Sequence, residues 1–190
     1  MVGEPIAVDD GSTDRTWKLL SALRDGDPRP ILHPALRTGF AIMKSPTVLV
    51  QDADLEYDPA EYEKLLSPIL NGKADVVFGS RFRGSEAHRV LSFWHFVGNR
   101  FLTLLSNMLT NLNLTDIETG FKAFKGEVLQ QIRLEEDRFG FEPEITAKVA
   151  RLGVPIYESR SLGRTYAEGR KVDWRDGVSA PRCILECNFF

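Results

Sequence analysis

Thr47-Val-Leu-Val50-Gln51-Asp52-Ala53-Asp54 is the stretch on which the fold turns. Its first four residues are apolar or β-branched without alternation, the pattern of a strand covered on both faces of a parallel sheet. The run passes straight into two carboxylates separated by one residue. Just beyond, Asp58 and Glu61 frame Pro59 as a capping box, and Tyr62, Leu65, Leu66 and Ile69 make a helix stripe. A buried strand, an acidic turn and a helix form one α/β unit.

The same order repeats outward. Upstream, Pro5-Ile-Ala-Val8 reads as a short strand closed by Asp9-Asp10-Gly11, and Ser12, Thr13 and Asp14 are cap candidates for a helix carrying Trp17, Leu20 and Leu23 on one face. Downstream, Ala74-Asp-Val-Val-Phe78 is a strand ended by Gly79. Residues 80–89 are polar and arginine-rich, and 90–112 read as an amphipathic helix with a wide apolar face. A strand at 121–125, a helix at 141–152 and a strand from Val154 to Glu158 follow. The tail after Ser159 reads as a loop with a helix near 174–186. Alternating strands and helices predict an α/β fold with a mostly parallel central sheet. In such sheets ligands bind beyond the C-terminal strand ends, where Asp9-Asp10 and Asp52-Ala-Asp54 both fall.

Composition narrows the function classes. The 190 residues suit one domain, and 43% hydrophobic with 27% charged residues excludes disorder, collagen and a coiled coil as overall descriptions. Cys183 and Cys187 stand four apart without the spacing of a zinc motif, far from His33, His88 and His95, which favours a reducing compartment over a disulfide framework. A net charge of −3 speaks against a nucleic-acid partner. Local charge differs: Arg81 to Arg100 holds four arginines against Glu86, and Arg160 to Arg175 holds five basic residues against Glu168 and Asp173. Such segments suit anion binding or a solvated surface. No apolar run reaches the length of a membrane span, and the N-terminus lacks signal-peptide regions, so a cytoplasmic location is expected.

Four constellations carry the chemistry. Asp52 and Asp54 suit a hard divalent cation completed by substrate phosphates, with Glu56 near its outer shell; a solvated turn would use the same residues. Asp9 and Asp10 suit hydrogen bonding to a nucleobase or ribose, or a place in the turn before a capped helix. Arg81, in Gly79-Ser80-Arg81, faces the same edge and could clamp a phosphate. Asp116 and Glu118 flank the expected strand, and Gly120 would allow close backbone approach to a ligand; a turn before a strand would use the same residues. There is no P-loop and no GxGxxG. Metal-binding carboxylates with phosphate-binding arginines point to chemistry on a nucleotide diphosphate.

Val8-Asp-Asp-Gly-Ser-Thr-Asp14, Gln51-Asp-Ala-Asp-Leu-Glu-Tyr-Asp-Pro59, Gly79-Ser-Arg81 and Thr119-Gly-Phe-Lys122 together resemble family 2 glycosyltransferases of the GT-A fold, above all the dolichol- and polyprenol-phosphate sugar transferases. The resemblance runs from about residue 6 to 177. It implies inverting transfer of a sugar from a nucleoside diphosphate sugar to a lipid phosphate. Asp9 would contact the base, with Asp10 shaping the turn. Asp52 and Asp54 would hold Mg²⁺ or Mn²⁺ with Glu56 nearby, Asp54 and Arg81 would serve catalysis, and Arg81 would bind donor phosphate. Arg100, Arg164, Arg170 and Lys171 would meet the acceptor phosphate. Helix 90–112 would lie on the membrane surface, making the protein peripheral at the inner face. Residues 1–159 would form the GT-A-like catalytic domain, with 160–190 a basic tail packed on it.

The chain departs from that family in three places. The strand and helix that usually precede the Asp-Asp-Gly-Ser turn are missing, so the sheet is expected without its first strand. The stretch from Pro28 to Gly39 and the tail at Ser159-Arg-Ser-Leu-Gly163 are shortened. These departures keep a second reading in view, a truncated, inactive domain acting as a membrane-surface or partner-binding module. A third, a sugar nucleotidyltransferase, lacks the expected N-terminal glycine-rich loop. For helix 90–112 the alternative to membrane contact is ordinary packing of Phe93, Val97, Leu104, Leu105 and Met108 on the sheet.

Overall fold

β3 (Thr47–Gln51) forms where the sequence has its unbroken apolar run. It pairs antiparallel with β5 (Phe121–Lys125), which pairs antiparallel with β4 (Val76–Ser80), which pairs parallel with β6 (Ile156–Arg160). The sheet order is β3-β5-β4-β6, and β1 (Ile6–Val8) and β2 (Ile31–His33) form a separate parallel pair. This computed structural model describes residues 6–8, 14–26, 31–33, 39–40, 43–52, 57–84, 92–135, 140–160 and 174–189.

The α/β class expected from the sequence is the observed one, with a mixed sheet. The parallel character holds for β1–β2 and β4–β6, and β5 enters reversed between β3 and β4. That reversal has a consequence for function. Gln51, at the end of β3, lies opposite Phe121, at the start of β5. The loop entering β5 therefore meets the residues leaving β3 at one edge of the sheet.

Both faces of the sheet are covered, which accounts for the lack of alternation in the strands. On β4, Val76 and Phe78 belong to a core cluster with Val50, Phe124, Ile145 and Val149. Val77 faces the other way, into a cluster with Leu65, Ile69, Phe121 and Ala123. Helix α1 (Thr16–Gly26) starts where the Asp14 carboxylate accepts the Thr16 amide at 2.8 Å. Ahead of α2 (Tyr62–Leu70), Asp58 accepts the Ala60 amide at 2.9 Å, and Pro59 opens a single 3₁₀ turn, Pro59–Glu61. Each is a side-chain cap that satisfies a donor the helix cannot satisfy itself.

The long helix α3 (Phe93–Thr110) packs with an unusual face. Asn99, Thr103 and Ser106 are buried, while Phe93, Trp94, Phe101, Leu104 and Met108 are exposed, Trp94 by 79%. Of the residues that ordinary core packing would place inside, Leu105 rests against the core alongside Leu102 and Leu109, and Phe93, Val97, Leu104 and Met108 do not. A short helix α4 (Gly126–Leu129) follows β5. Helix α5 (Phe141–Leu152) ends at Gly153, whose φ of +64° is the left-handed stop that glycine adopts at little cost. The expected tail helix is α6 (Trp174–Phe189), and its Ile184 is fully buried in the main core cluster.

Candidate functional site

Asp52 leaves β3 exposed to solvent, with its amide donating to the Gly120 carbonyl at 3.2 Å. The Gly120 amide in turn donates to Tyr57 Oη at 2.7 Å. Gly120 is required here for a steric reason. A Cβ at this position would overlap the Asp52 carboxylate and come within 2.9 Å of its Cβ. The absent side chain is a cradle for the first carboxylate of the acidic turn. Tyr62 Oη donates to Gln51 Oε1 at 2.6 Å, fixing the residue just before it.

Arg81 continues past β4 to the same edge. Its guanidinium makes a two-pronged pair with Asp116, Nε to Oδ2 at 2.8 Å and Nη2 to Oδ1 at 3.0 Å, and Nη2 also donates to the Glu118 carbonyl at 2.7 Å. The Arg81 amide donates to Asp116 Oδ2 at 3.2 Å. From α3, Asn99 Nδ2 adds a bond to Asp116 Oδ1 at 3.1 Å, and Thr103 Oγ1 donates to Asn99 Oδ1 at 3.3 Å. This network explains why α3 turns polar residues inward. Burial by itself would raise the Asp116 pKa, but the hydrogen bonds and charge of Arg81, with Asn99, hold it below the usual carboxylate range.

Two further carboxyls, both partly buried, belong to Glu118 and Glu142. Burial, with the negative charge of Glu142, pushes Glu118 up to about 7. Its Oε1 is buried and has no hydrogen-bond partner among the described residues. Glu142, in the first turn of α5, is also raised, first by burial and then by the charge of Asp52, against the lowering effect of Lys122. Lys122 itself is only 1% exposed. Its ammonium donates to the Thr119 carbonyl and lies 5.7 Å from the Phe78 ring centre and 5.9 Å from that of Phe141. A buried cation among carboxyls and aromatic faces partly offsets the desolvation of both signs of charge.

The edge thus brings together Asp52, Arg81, Asp116, Glu118 and Gly120 from motifs far apart in the chain. Arg100 is exposed on α3. Asp9, Asp10, Asp54, Glu56, Arg164, Arg170 and Lys171 lie outside the described residues. Among the described residues, no cluster of three or more His, Cys, Asp or Glu side chains is placed to hold a metal ion. Asp52 nevertheless fits a hard-cation site. It is an oxygen donor at a solvent-facing strand end, seated against a glycine, with the second carboxylate of its triplet two residues on.

Glu142 was not visible as a site residue in the sequence, where it is one acid in the first turn of an amphipathic helix. That it feels the charge of Asp52 comes from the docking of α5. Likewise no local signal marks Asp116 as the partner of Arg81, 35 residues away.

The sequence profile described as glycosyl transferase family 2 matches residues 4–133. The chain is 30% identical over 191 residues to the undecaprenyl-phosphate mannosyltransferase of Micrococcus luteus, covering 86% of this chain and 75% of that protein. It is 28% identical over 156 residues to glycosyltransferase AglJ of Haloferax volcanii, covering 78% of this chain and half of that protein's length. A solved structure of glucosyl-3-phosphoglycerate synthase from Mycobacterium tuberculosis, in complex with Mn²⁺, uridine diphosphate and phosphoglyceric acid, superposes with a TM-score of 0.70 at 20% identity. That superposition covers 98% of this chain and 66% of the other. At such identity the likeness is one of fold.

Proposed function

The chain belongs to glycosyl transferase family 2, and on that premise we propose that it moves a sugar, with inversion, from a nucleoside diphosphate sugar to a polyprenyl or dolichyl phosphate. The observation that carries this reading is the Asp52 carboxylate seated against side-chain-free Gly120 at the sheet edge where Arg81 also ends. The names of the relatives support the acceptor class, since one is an undecaprenyl-phosphate mannosyltransferase.

In this proposal Asp52 and Asp54 hold Mg²⁺ or Mn²⁺, with Glu56 near the outer shell. Such an ion would supply Lewis-acid neutralisation of the donor diphosphate. Asp9 binds the nucleobase, and Asp10 shapes the turn beside it. Arg81, held rigid by Asp116, presents its charge to the donor phosphates from the side. Arg100, Arg164, Arg170 and Lys171 gather the acceptor phosphate. A phosphate monoester is already anionic near neutral pH, so its attack asks little of a general base.

The outward face of α3 belongs to the same proposal. Phe93–Thr110 contains no acidic residue, carries Arg100, and exposes Phe93, Trp94, Phe101, Leu104 and Met108. A face of that composition suits the boundary between anionic headgroups and acyl chains, here at the inner membrane surface. No described helix is long and apolar enough to cross a membrane. The same face supports the second reading, a domain that meets a membrane without turnover.

Calorimetry with Mn²⁺ and UDP or GDP tests the proposal. Metal-dependent nucleotide affinity in the wild type, lost in Asp54→Ala, is the expected result. No affinity for either nucleotide in the presence of Mn²⁺ removes the enzyme reading. Vesicle sedimentation that persists in that case, indifferent to nucleotide, selects the second.

A further inference from the structure

Cys183 and Cys187 have no part in the proposed chemistry, yet the fold brings them together. They stand one turn apart on α6, the i, i+4 spacing that puts two side chains on one face. Both are thiols, and their Sγ atoms are 3.5 Å apart. Cys183 is 6% exposed and donates to the Gly140 carbonyl, just ahead of α5, at 3.5 Å. Cys187 is partly exposed, and its carbonyl accepts a bond from Arg151 Nη2 at 2.6 Å. One cysteine is thus buried and its neighbour partly exposed.

The chemistries open to such a pair differ in the geometry they need. A disulfide requires sulfurs about 2.05 Å apart and Cβ atoms about 3.5–4.5 Å apart. Residues at i and i+4 of an α-helix keep their Cβ atoms about 5–6 Å apart, so oxidation would have to unwind the turn. A centre bonded to two thiolates at about 2.3 Å with a near-tetrahedral angle holds the sulfurs about 3.8 Å apart. The observed 3.5 Å lies close to that value. A structural zinc ion wants four protein ligands, and among the described residues no set of three His, Cys, Asp or Glu side chains is placed to hold one. The 3.5 Å spacing of the two sulfurs by itself suits a thiophilic centre bound through two thiolates.

We propose that Cys183 and Cys187 form a chelating dithiol site for thiophilic centres that need only two protein ligands, with trivalent organoarsenicals as the ligand class. In the binding step an arsenoxide, R–As=O, meets the two thiols. Two S–As bonds form, the As=O bond is lost, and both thiol protons leave with the oxygen as one water, with no change of oxidation state. Cys187, the more exposed, reacts first, and Cys183 closes the ring across one helical turn. Closure ends the Cys183 donation to Gly140 and clamps the turn of α6 that carries both sulfurs.

Phenylarsine oxide is the probe, and the test is independent of the glycosyltransferase reading. The expected adduct is one phenylarsenic per chain by intact mass, with both thiols lost to a thiol reagent and both restored by an excess of a small dithiol. Cys187→Ser should weaken binding by about 100-fold or more, because the second bond is then no longer intramolecular. Cys183→Ser should do the same, and the partly exposed position of Cys187 keeps the test valid if the Cys183 variant misfolds. Oxidised glutathione should give a mixed disulfide at Cys187. Two arsenicals per chain, an adduct that survives in Cys187→Ser, no adduct at all, or an internal disulfide formed with helicity intact would each overturn the proposal.

Discussion

Arg81 and Asp116 form a two-pronged ion pair in which the carboxylate is fully buried and the guanidinium side chain is 15% exposed. The pair joins the end of β4 to the loop that enters β5, and Asn99 ties α3 to the same carboxylate. Removing one partner of such a pair leaves a charge without compensation, which typically costs about 3–5 kcal/mol. Asp116→Ala is therefore expected to lose stability toward the lower end of that range, since Arg81 keeps some solvent contact. Urea unfolding checks this, and a loss below about 1 kcal/mol would show that the pair does not fasten the edge.

Gly120→Ala puts a methyl group where the Asp52 carboxylate lies. Overpacking of this kind costs about 1–3 kcal/mol. Nucleotide affinity measured with Mn²⁺ should fall further than the stability loss explains, because the displaced group is the proposed metal ligand. An unchanged affinity in a folded variant would separate Asp52 from the metal.

Glu118 gives the folded chain a pH dependence of known sign. Its folded pKa of about 7 lies above the ordinary value of 4.5, so between these values the native state holds a proton that the unfolded state has released. Stability from this group is then greatest below the ordinary value and falls as pH rises toward 7. Glu142, also raised, acts in the same direction. Glu118→Gln should flatten the fall in melting temperature between pH 5 and 8 and be relatively more stable at the alkaline end. A variant with the wild-type slope would place the titration elsewhere.

Trp94 and Met108 are 79% and 72% exposed on α3. The double substitution Trp94→Gln and Met108→Gln should leave stability within about 0.5 kcal/mol, as is usual for exposed positions. Sedimentation with vesicles containing anionic lipid should drop sharply. Lower salt should strengthen wild-type association through Arg100 and its neighbours. Sedimentation insensitive to both changes would assign the face another role.

Much of the fold is legible in the chain itself. The run Thr47–Val50 gave β3, the Asp58 side-chain cap gave the 3₁₀ turn that leads into α2, and Asp14 caps α1, because each depends on residues within a few positions. The reversed strand β5 was not legible as reversed. Phe121–Lys125 has the same local character whichever way it runs, and its direction shows only in its antiparallel pairing with β3 and β4. For α3 the amphipathic period was plain, yet the side facing inward mixes Asn99, Thr103 and Ser106 with Leu102, Leu105 and Leu109, and leaves Phe93, Trp94, Phe101, Leu104 and Met108 outside. The buried carboxylate of Asp116 draws Asn99 inward, and satisfying a buried charge outweighs covering the apolar stripe.

The sequence by itself determined the alternation of strands and helices, the acidic triplet at a strand end, and membership of glycosyl transferase family 2. All of these are written in periodicity, turn residues and short motifs. Only the tertiary structure decided that Arg81 answers Asp116, that Gly120 makes room for Asp52, and that Glu142, on a distant helix, feels the charge of that carboxylate. These relations join residues tens of positions apart, and nothing in local propensity encodes them. They arise when apolar burial closes the sheet between its helices and forces the charged groups at its edge to find one another.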